Sequence, residues 1–130
     1  MAFYVDTSAA VKLVVSEQGS PAMGRWASKR AGMLWSSDLL RTELARAVRR
    51  AAPLRMARAR AVVDGLRLLR LSVSTFERAA SLEPVTLRSL DALHLAAALE
   101  LGDGLEGFVT FDDRLAEAAT LLGIPIVTPT

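Results

Sequence analysis

The sequence contains no cysteine and only one histidine. Disulfide bonds, thiol catalysis and cysteine-ligated zinc sites are therefore excluded. No apolar run approaches the roughly 18 residues that a membrane-spanning helix needs. The first six residues also lack the basic start and the long apolar stretch of a secretory signal. These absences predict a soluble protein of the cytoplasm with no membrane partner.

The length and composition predict one domain over residues 1–130, because 130 residues that are 52% apolar can surround a single hydrophobic core. Short strand-like runs alternate with helical patterns along the chain. That alternation predicts an α/β fold, a three-layer sandwich with a mostly parallel central sheet flanked by helices.

Apolar periodicity and capping residues give the expected elements. Strands are predicted at residues 2–5, 33–35, 71–73, 107–110 and 125–127. Helices are predicted at residues 9–15, 21–30, 39–52, 54–69, 74–82, 90–101 and 113–122. Thr7 or Ser8 is expected to cap the first helix, the cluster of Ser36, Ser37 and Asp38 the third, and Asp112 or Asp113 the last.

Charge is unevenly distributed along the chain. Residues 41–70 hold nine arginines and only two acidic residues, a local net charge of +7, which leaves −5 for the remainder. A basic segment beside an acidic remainder is typical of nucleic-acid binding. Arginines that simply solvate exposed helix faces would give the same pattern, so charge alone does not decide between the two.

Four acidic residues occupy positions that suggest a shared site. Asp6 follows the first predicted strand and Asp112 closely follows the fourth, at the sheet edge where α/β proteins bind ligands. Asp91 lies inside the apolar start of a helix, and Glu43 lies beside the apolar stripe of another. Taken singly, each has a structural explanation: helix capping for Asp6 and Asp112, a favourable first-turn charge for Asp91, and an ion pair with Arg46 or Arg50 for Glu43.

Together these acids lie in segments that resemble the motifs of the PIN-domain family, particularly its VapC-type toxins. Residues 4–9 (YVDTSA) resemble the opening strand with its first acid, and residues 36–47 the second acidic motif. Residues 87–98 (LRSLDALHLAAA) resemble the third motif most specifically, and residues 109–119 resemble the fourth. The motifs follow the family order over nearly the whole chain, whereas residues 53–82 carry none.

The resemblance implies that Asp6, Glu43, Asp91 and Asp112 hold a metal ion. With no cysteine and one histidine the donors are hard oxygens, which favours Mg²⁺, or alternatively Mn²⁺, in a one-metal or two-metal site. Ser8 and Thr110 match polar positions where a hydroxyl orients a carboxylate or a water, although capping and strand-end hydrogen bonds explain them equally well. Asp113 is the alternative to Asp112. His94 is expected to be a packed, hydrogen-bonded structural histidine.

The resemblance also implies a metal-dependent endoribonuclease, the toxin of a VapBC-type toxin–antitoxin pair. Its implied substrate is RNA, of the transfer or ribosomal class, and its implied partners are a VapB-like antitoxin that covers the site and a second copy in a homodimer. Arg46, Arg49 and Arg50 are the candidate RNA contacts.

Three other functions would also suit an α/β domain with acids at these positions. A haloacid-dehalogenase-type phosphatase would need an aspartate two residues after Asp6, where the sequence has Ser8. A receiver-like signalling domain would need a lysine after a late strand, but the only lysines are Lys12 and Lys29. A catalytically silent PIN fold that binds RNA or protein would not need four acids, although their presence does not exclude it.

Overall fold

The computed structural model describes residues 1–130. Its centre is a five-stranded sheet, parallel throughout, in the order β3-β2-β1-β4-β5. The strands are β1 (Ala2–Val5), β2 (Leu34–Ser37), β3 (Arg67–Leu69), β4 (Leu105–Val109) and β5 (Ile126–Val127). The predicted α/β sandwich is therefore confirmed.

Seven helices connect and cover the strands, because parallel neighbours cannot be joined by a tight hairpin. They are α1 (Thr7–Lys12), α2 (Ser20–Ser28), α3 (Leu39–Ala51), α4 (Met56–Asp64), α5 (Val73–Ala80), α6 (Ser89–Leu99) and α7 (Asp113–Leu121). Short 3-10 turns occur at Pro53–Arg55 and Gly102–Gly104. No helix combines the length and the apolar character that crossing a membrane requires.

Successive strand residues point to opposite faces of the sheet and so separate two apolar clusters. Val5 and Val109 pack with α1 to α4 on one face. Tyr4 and Phe108 pack with α6 and α7 on the other, where their rings stack at 5.3 Å. Each central strand is thus buried on both sides, as expected of a parallel sheet.

The third strand lies earlier in the chain than predicted. The segment 71–73 does not form a strand; β3 is Arg67–Leu69, so the helix predicted for 54–69 ends at Asp64. Ser72 instead caps α5, with its hydroxyl and that of Thr75 exchanging hydrogen bonds with each other's backbone N–H. A capping residue of this kind starts a helix and cannot continue a strand.

Two predicted caps are also wrong. Asp6, not Thr7 or Ser8, caps α1 by accepting a hydrogen bond from the N–H of Ala9, and the helix stops at Lys12 instead of reaching residue 15. Of the cluster expected to cap α3, Ser36 and Ser37 belong to β2, and Asp38 takes the N-cap position without a side-chain capping hydrogen bond. The buried Ser36 hydroxyl donates to the carbonyl of Val5 on β1.

The sheet order changes direction at β1, which lies between β2 and β4. Crevices that bind ligands form beyond the carboxyl ends of the strands at such a switch point. Asp6 follows β1 directly and donates its backbone N–H to Val109 of β4, while Asp112 lies just beyond β4. The topology thus brings the first and fourth acids to the same edge.

Candidate active site

Asp6 is the buried centre of the site, with only 2% of the residue exposed. Its Oδ1 accepts hydrogen bonds from the Ser8 hydroxyl at 2.7 Å and from the N–H of Ala9 at 2.9 Å. Its Oδ2 accepts from the Thr110 hydroxyl at 2.5 Å. A carboxylate offers about four acceptor positions, so one position on Oδ2 remains for a ligand.

The electrostatics of Asp6 reflect its burial. Burial raises the pKa of Asp6, and hydrogen bonds from Thr110, Ala9 and Ser8 together with the charge of His94 only partly offset that effect. Keeping this carboxylate ionised without a cation is therefore unfavourable.

Thr110 and Ser8 tie the ends of β1 and β4 together. The Thr110 hydroxyl, which donates to Asp6, also accepts from the backbone N–H of Asp112 at 3.0 Å. The Ser8 hydroxyl accepts from the N–H of Phe111 at 2.9 Å and lies 3.3 Å from the Thr110 hydroxyl. Both hydroxyls therefore orient the Asp6 carboxylate.

Asp112 caps α7 through one oxygen. Its Oδ1 accepts from the N–H groups of Arg114 and Leu115 at 3.0 and 3.1 Å, whereas its Oδ2 accepts no protein hydrogen bond. Capping and a ligand role are compatible, because they use different oxygens. Asp113 is exposed and begins the helix without a side-chain partner.

Glu43 approaches from α3 and is also held through one oxygen. Its Oε1 accepts from the Thr7 hydroxyl at 2.9 Å and lies 2.5 Å from Nε2 of His94. Burial alone would raise the pKa of Glu43, but the hydrogen bond and charge of His94 and the hydrogen bond of Thr7 outweigh it and lower the pKa. Glu43 is therefore ionised at neutral pH. Glu43 forms no ion pair with Arg46 or Arg50, the alternative structural explanation for it.

Asp91 lies in the first turn of α6 and has no hydrogen-bonded partner of its own. Burial raises its pKa, as do the charges of Asp112 and, more weakly, Glu43, against the opposing charges of His94 and Arg88. Asp91 and Asp112 line one cavity of about 470 Å³, together with Arg88 and Arg114. Asp91, the third acid along the chain, thus joins the same edge as the other three.

The four carboxylates suit a hard cation in donor type and charge. Asp6, Glu43 and Asp112 each retain acceptor capacity on one oxygen, and Asp91 retains it on both. Negative neighbours raise the pKa of Asp91, and a cation would relieve that repulsion. As the side chains stand, no three histidine or acidic groups converge closely enough to bind one ion.

His94 contributes more than its local sequence suggested. It is buried, as predicted, and both ring nitrogens have partners: Nδ1 lies 2.8 Å from the Tyr4 hydroxyl and Nε2 contacts Glu43. Its position three residues after Asp91 was the only sequence signal for this contact. The roles of Tyr4 and Thr7 were missed, because no local pattern links them to residues on α3 and α6.

Arg46, Arg49 and Arg50 are all exposed on α3 and alone line a shallow cavity of about 390 Å³. Arg46 and Arg50 follow Glu43 by three and seven residues, so helical spacing places them on the same face as Glu43. A basic strip therefore extends along α3 from the acidic edge.

A parallel α/β sandwich with four acids at one sheet edge is the arrangement expected of a PIN domain. The chain matches the PIN domain family model over residues 3–121, and it belongs to the PIN-domain family.

Its curated relatives carry VapC names. Ribonuclease VapC47 of Mycobacterium tuberculosis (strain CDC 1551 / Oshkosh) is 39% identical over 130 residues, covering 97% of this chain and 96% of the relative. Ribonuclease VapC46 of strain ATCC 25618 / H37Rv is 39% identical over 128 residues, covering 98% of each. A crystal structure of VapC20 from the same species, described as a sarcin-ricin loop cleaving toxin, superposes with a TM-score of 0.77 over 98% of this chain and all of that one. At 17% identity, that match supports the fold alone.

Proposed function

We propose that this protein is a metal-dependent endoribonuclease and the toxin of a VapBC-type toxin–antitoxin pair. The observation that carries the proposal is the buried Asp6, fixed by three hydrogen bonds with one acceptor position left, at the sheet edge that also receives Asp91 and Asp112. Relatives that are named ribonucleases over nearly the full length support RNA as the substrate.

The proposed metal is Mg²⁺, with Mn²⁺ as the alternative, held by Asp6, Asp91, Glu43 and Asp112. All are hard oxygen donors, which these ions prefer. When bound, the ion would supply Lewis acidity toward a scissile phosphate and an attacking water.

The chain's own residues would prepare the site for that chemistry. Ser8 and Thr110 hold the Asp6 carboxylate in one orientation by donating to opposite oxygens. Arg46, Arg49 and Arg50 would hold phosphates of the bound strand beside the acids, since guanidinium groups pair well with phosphate. These contacts would place a phosphodiester without reading its bases.

The proposed substrate is a structured RNA of the transfer or ribosomal class, cut where bases are exposed in single-stranded loops. The proposed protein partners are a VapB-like antitoxin that covers the acidic edge and a second copy of the chain. An RNA substrate of these classes also favours the cytoplasm as its place of action.

The first experiment is cleavage of total cellular RNA by purified protein freed of antitoxin, with Mg²⁺, with Mn²⁺ and with chelator. We expect cutting that needs the metal and that Asp6→Asn lowers at least about 100-fold, because several kcal/mol of transition-state stabilisation are at stake. Asp103→Asn is the matched control, since Asp103 is an exposed aspartate in the 3-10 turn before β4.

The other outcomes separate the alternatives. Metal binding by calorimetry without cleavage of any RNA would favour the silent binding module. Hydrolysis of p-nitrophenyl phosphate without RNA cleavage would favour a phosphatase. Cleavage that persists in the chelator or in Asp6→Asn would contradict the assignment of the acids.

A further inference from the structure

One buried hydrogen-bond chain joins three of the elements that carry the acids. The Tyr4 hydroxyl on β1 contacts Nδ1 of His94 on α6, and Nε2 of His94 contacts Oε1 of Glu43 on α3. Tyr4 lies two residues before Asp6, and His94 three residues after Asp91. These hydrogen bonds thus fix the position of Glu43 relative to β1, which precedes Asp6, and to α6, which carries Asp91.

We infer that His94 is a positioning residue, which holds the Glu43 carboxylate at the acidic edge by donating from Nε2 while the Tyr4 hydroxyl holds Nδ1. The inference rests on the proposed function for its catalytic consequence. The proton assignment at His94 does not depend on catalysis, because it concerns only hydrogen bonds within the protein.

The direction of the hydrogen bond at Nε2 follows from its partner. An ionised carboxylate only accepts, so Nε2 must carry the proton that Glu43 receives. The Tyr4 hydroxyl can donate to Nδ1 of a neutral imidazole or accept from Nδ1 of an imidazolium, so it satisfies Nδ1 in either state. Burial raises the pKa of Tyr4, so its hydroxyl keeps its proton.

The side chains around His94 offer it no other polar partner. It is 2% exposed, and its neighbours from Ala92 to Ala98 on α6 are all buried apolar residues. A residue needed only to fill space here could be apolar, as its neighbours are. Instead, Nε2 of His94 and the Thr7 hydroxyl both hydrogen-bond to Oε1 of Glu43. Oε2 is therefore the oxygen left available to a ligand.

The direct test uses the fact that the chain has one histidine and one tyrosine. In ¹⁵N NMR of the full chain without metal, the imidazole signals therefore need no assignment among several rings. We expect a protonated Nε2, and we expect Tyr4→Phe to shift the Nδ1 signal selectively. A protonated Nδ1 with a bare Nε2 would overturn the inference.

The functional test compares His94→Ala with His94→Gln in the RNA cleavage assay, below the Tm of both. Residues that orient metal ligands typically contribute about 10–100-fold, so we expect His94→Ala to lower kcat by that factor with little change in KM. The amide of His94→Gln should restore part of kcat, because it can still donate. An unchanged kcat in folded His94→Ala would overturn the inference.

A double-mutant cycle separates positioning from general stability. If His94 acts through Glu43, then His94→Ala should lower residual cleavage much less in a Glu43→Gln background than in wild type. An equal loss in both backgrounds would indicate a merely structural role. Leu95→Ala, the next residue on α6 and fully buried, is the packing control and should lower Tm but not kcat.

The two proposals fail in distinguishable ways. If the wild-type protein cuts no RNA, the proposed function fails while the NMR result still decides the proton assignment. If the wild type cuts RNA but the NMR shows a bare Nε2, only the positioning role fails.

Discussion

Thr110 connects Asp6 with the segment that carries Asp112 through a single hydroxyl. The Thr110 hydroxyl donates to Oδ2 of Asp6 and accepts from the backbone N–H of Asp112 at 3.0 Å. Thr110 is completely buried, so its hydroxyl makes both bonds away from solvent. The Thr110 hydroxyl therefore helps to set the position of the first acid relative to the fourth.

Replacing that hydroxyl should damage both stability and activity. Thr110→Val keeps the shape but leaves the Asp112 N–H unpaired, which should cost about 1–3 kcal/mol of unfolding free energy. Cleavage should fall about 10–100-fold, since Asp6 loses an orienting donor. Urea unfolding and RNA cleavage measure the two effects.

Thr120→Val is the matched control for this substitution. Thr120 is exposed, and its hydroxyl donates only to the carbonyl of Ala116 on its own helix. If both variants cleave RNA as the wild type does, the Thr110 hydroxyl has no part in orienting Asp6.

Without metal, the acidic edge should make the protein less stable as pH rises. The pKa values of Asp6 and Asp91 are raised from 3.8, so between about pH 4 and their higher native values the folded state binds more protons than the unfolded state. The unfolding free energy therefore falls as pH rises through that interval. Glu43 has the opposite effect on stability, because its pKa is lowered from 4.5. Its stabilising contribution is lost only as the pH falls through that lowered pKa.

Asp91→Asn should weaken this pH dependence. In the presence of a chelator it should also make the protein more stable near neutral pH. Urea midpoints measured from about pH 4 to 7 test it, with Asp103→Asn as the control. Added Mg²⁺ should stabilise the wild type more than Asp91→Asn. A steeper pH dependence in Asp91→Asn would contradict the origin given for the raised pKa.

The placement of these acids near one sheet edge could be predicted because the information for it is local. Asp6 and Asp112 follow apolar strands, and a parallel sheet necessarily brings such positions to one edge. Asp91 is marked by its place in an otherwise apolar helix start. These patterns depend on a few neighbouring residues and on one topological rule.

The third strand could not be predicted in the same way. Residues 66–71 (LRLLRL) hold two arginines among four leucines, in a pattern that a helix or a strand can accommodate. The outcome depends on pairing with β2, where Trp35 lies opposite Arg67 and the guanidinium sits 5.6 Å from the indole ring. The contact between Tyr4 and His94 likewise joins residues 90 positions apart, which no local pattern encodes.

The basic strip on α3 should control RNA affinity through phosphate contacts. In an Asp6→Asn background that does not cleave, we expect the combined replacement of Arg46, Arg49 and Arg50 by glutamine to weaken binding. The slope of log affinity against log salt should shrink by up to about 2, because each phosphate contact to a single strand contributes about 0.7. Arg25→Gln on α2 is the control, and an unchanged slope in the triple variant would show that the strip only solvates the helix.

Gly107 on β4 should tolerate no side chain, because a Cβ there would lie 2.7 Å from Cγ2 of Val127 on β5. We expect Gly107→Ala to lower the unfolding free energy by about 1–3 kcal/mol, as overpacking in a buried sheet does. Adding Val127→Ala should recover part of the loss, since it removes the methyl group that clashes.

The same substitution at Gly24 should have the opposite effect on the unfolding free energy. Gly24 lies within α2 with no atom near its Cβ position, so alanine there should raise stability by about 0.5–1 kcal/mol. Urea unfolding of the single and double variants measures all of these differences. If Gly107→Ala were as stable as the wild type, β5 could shift away from β4 without penalty, and the close packing of these two strands would not be required by the fold.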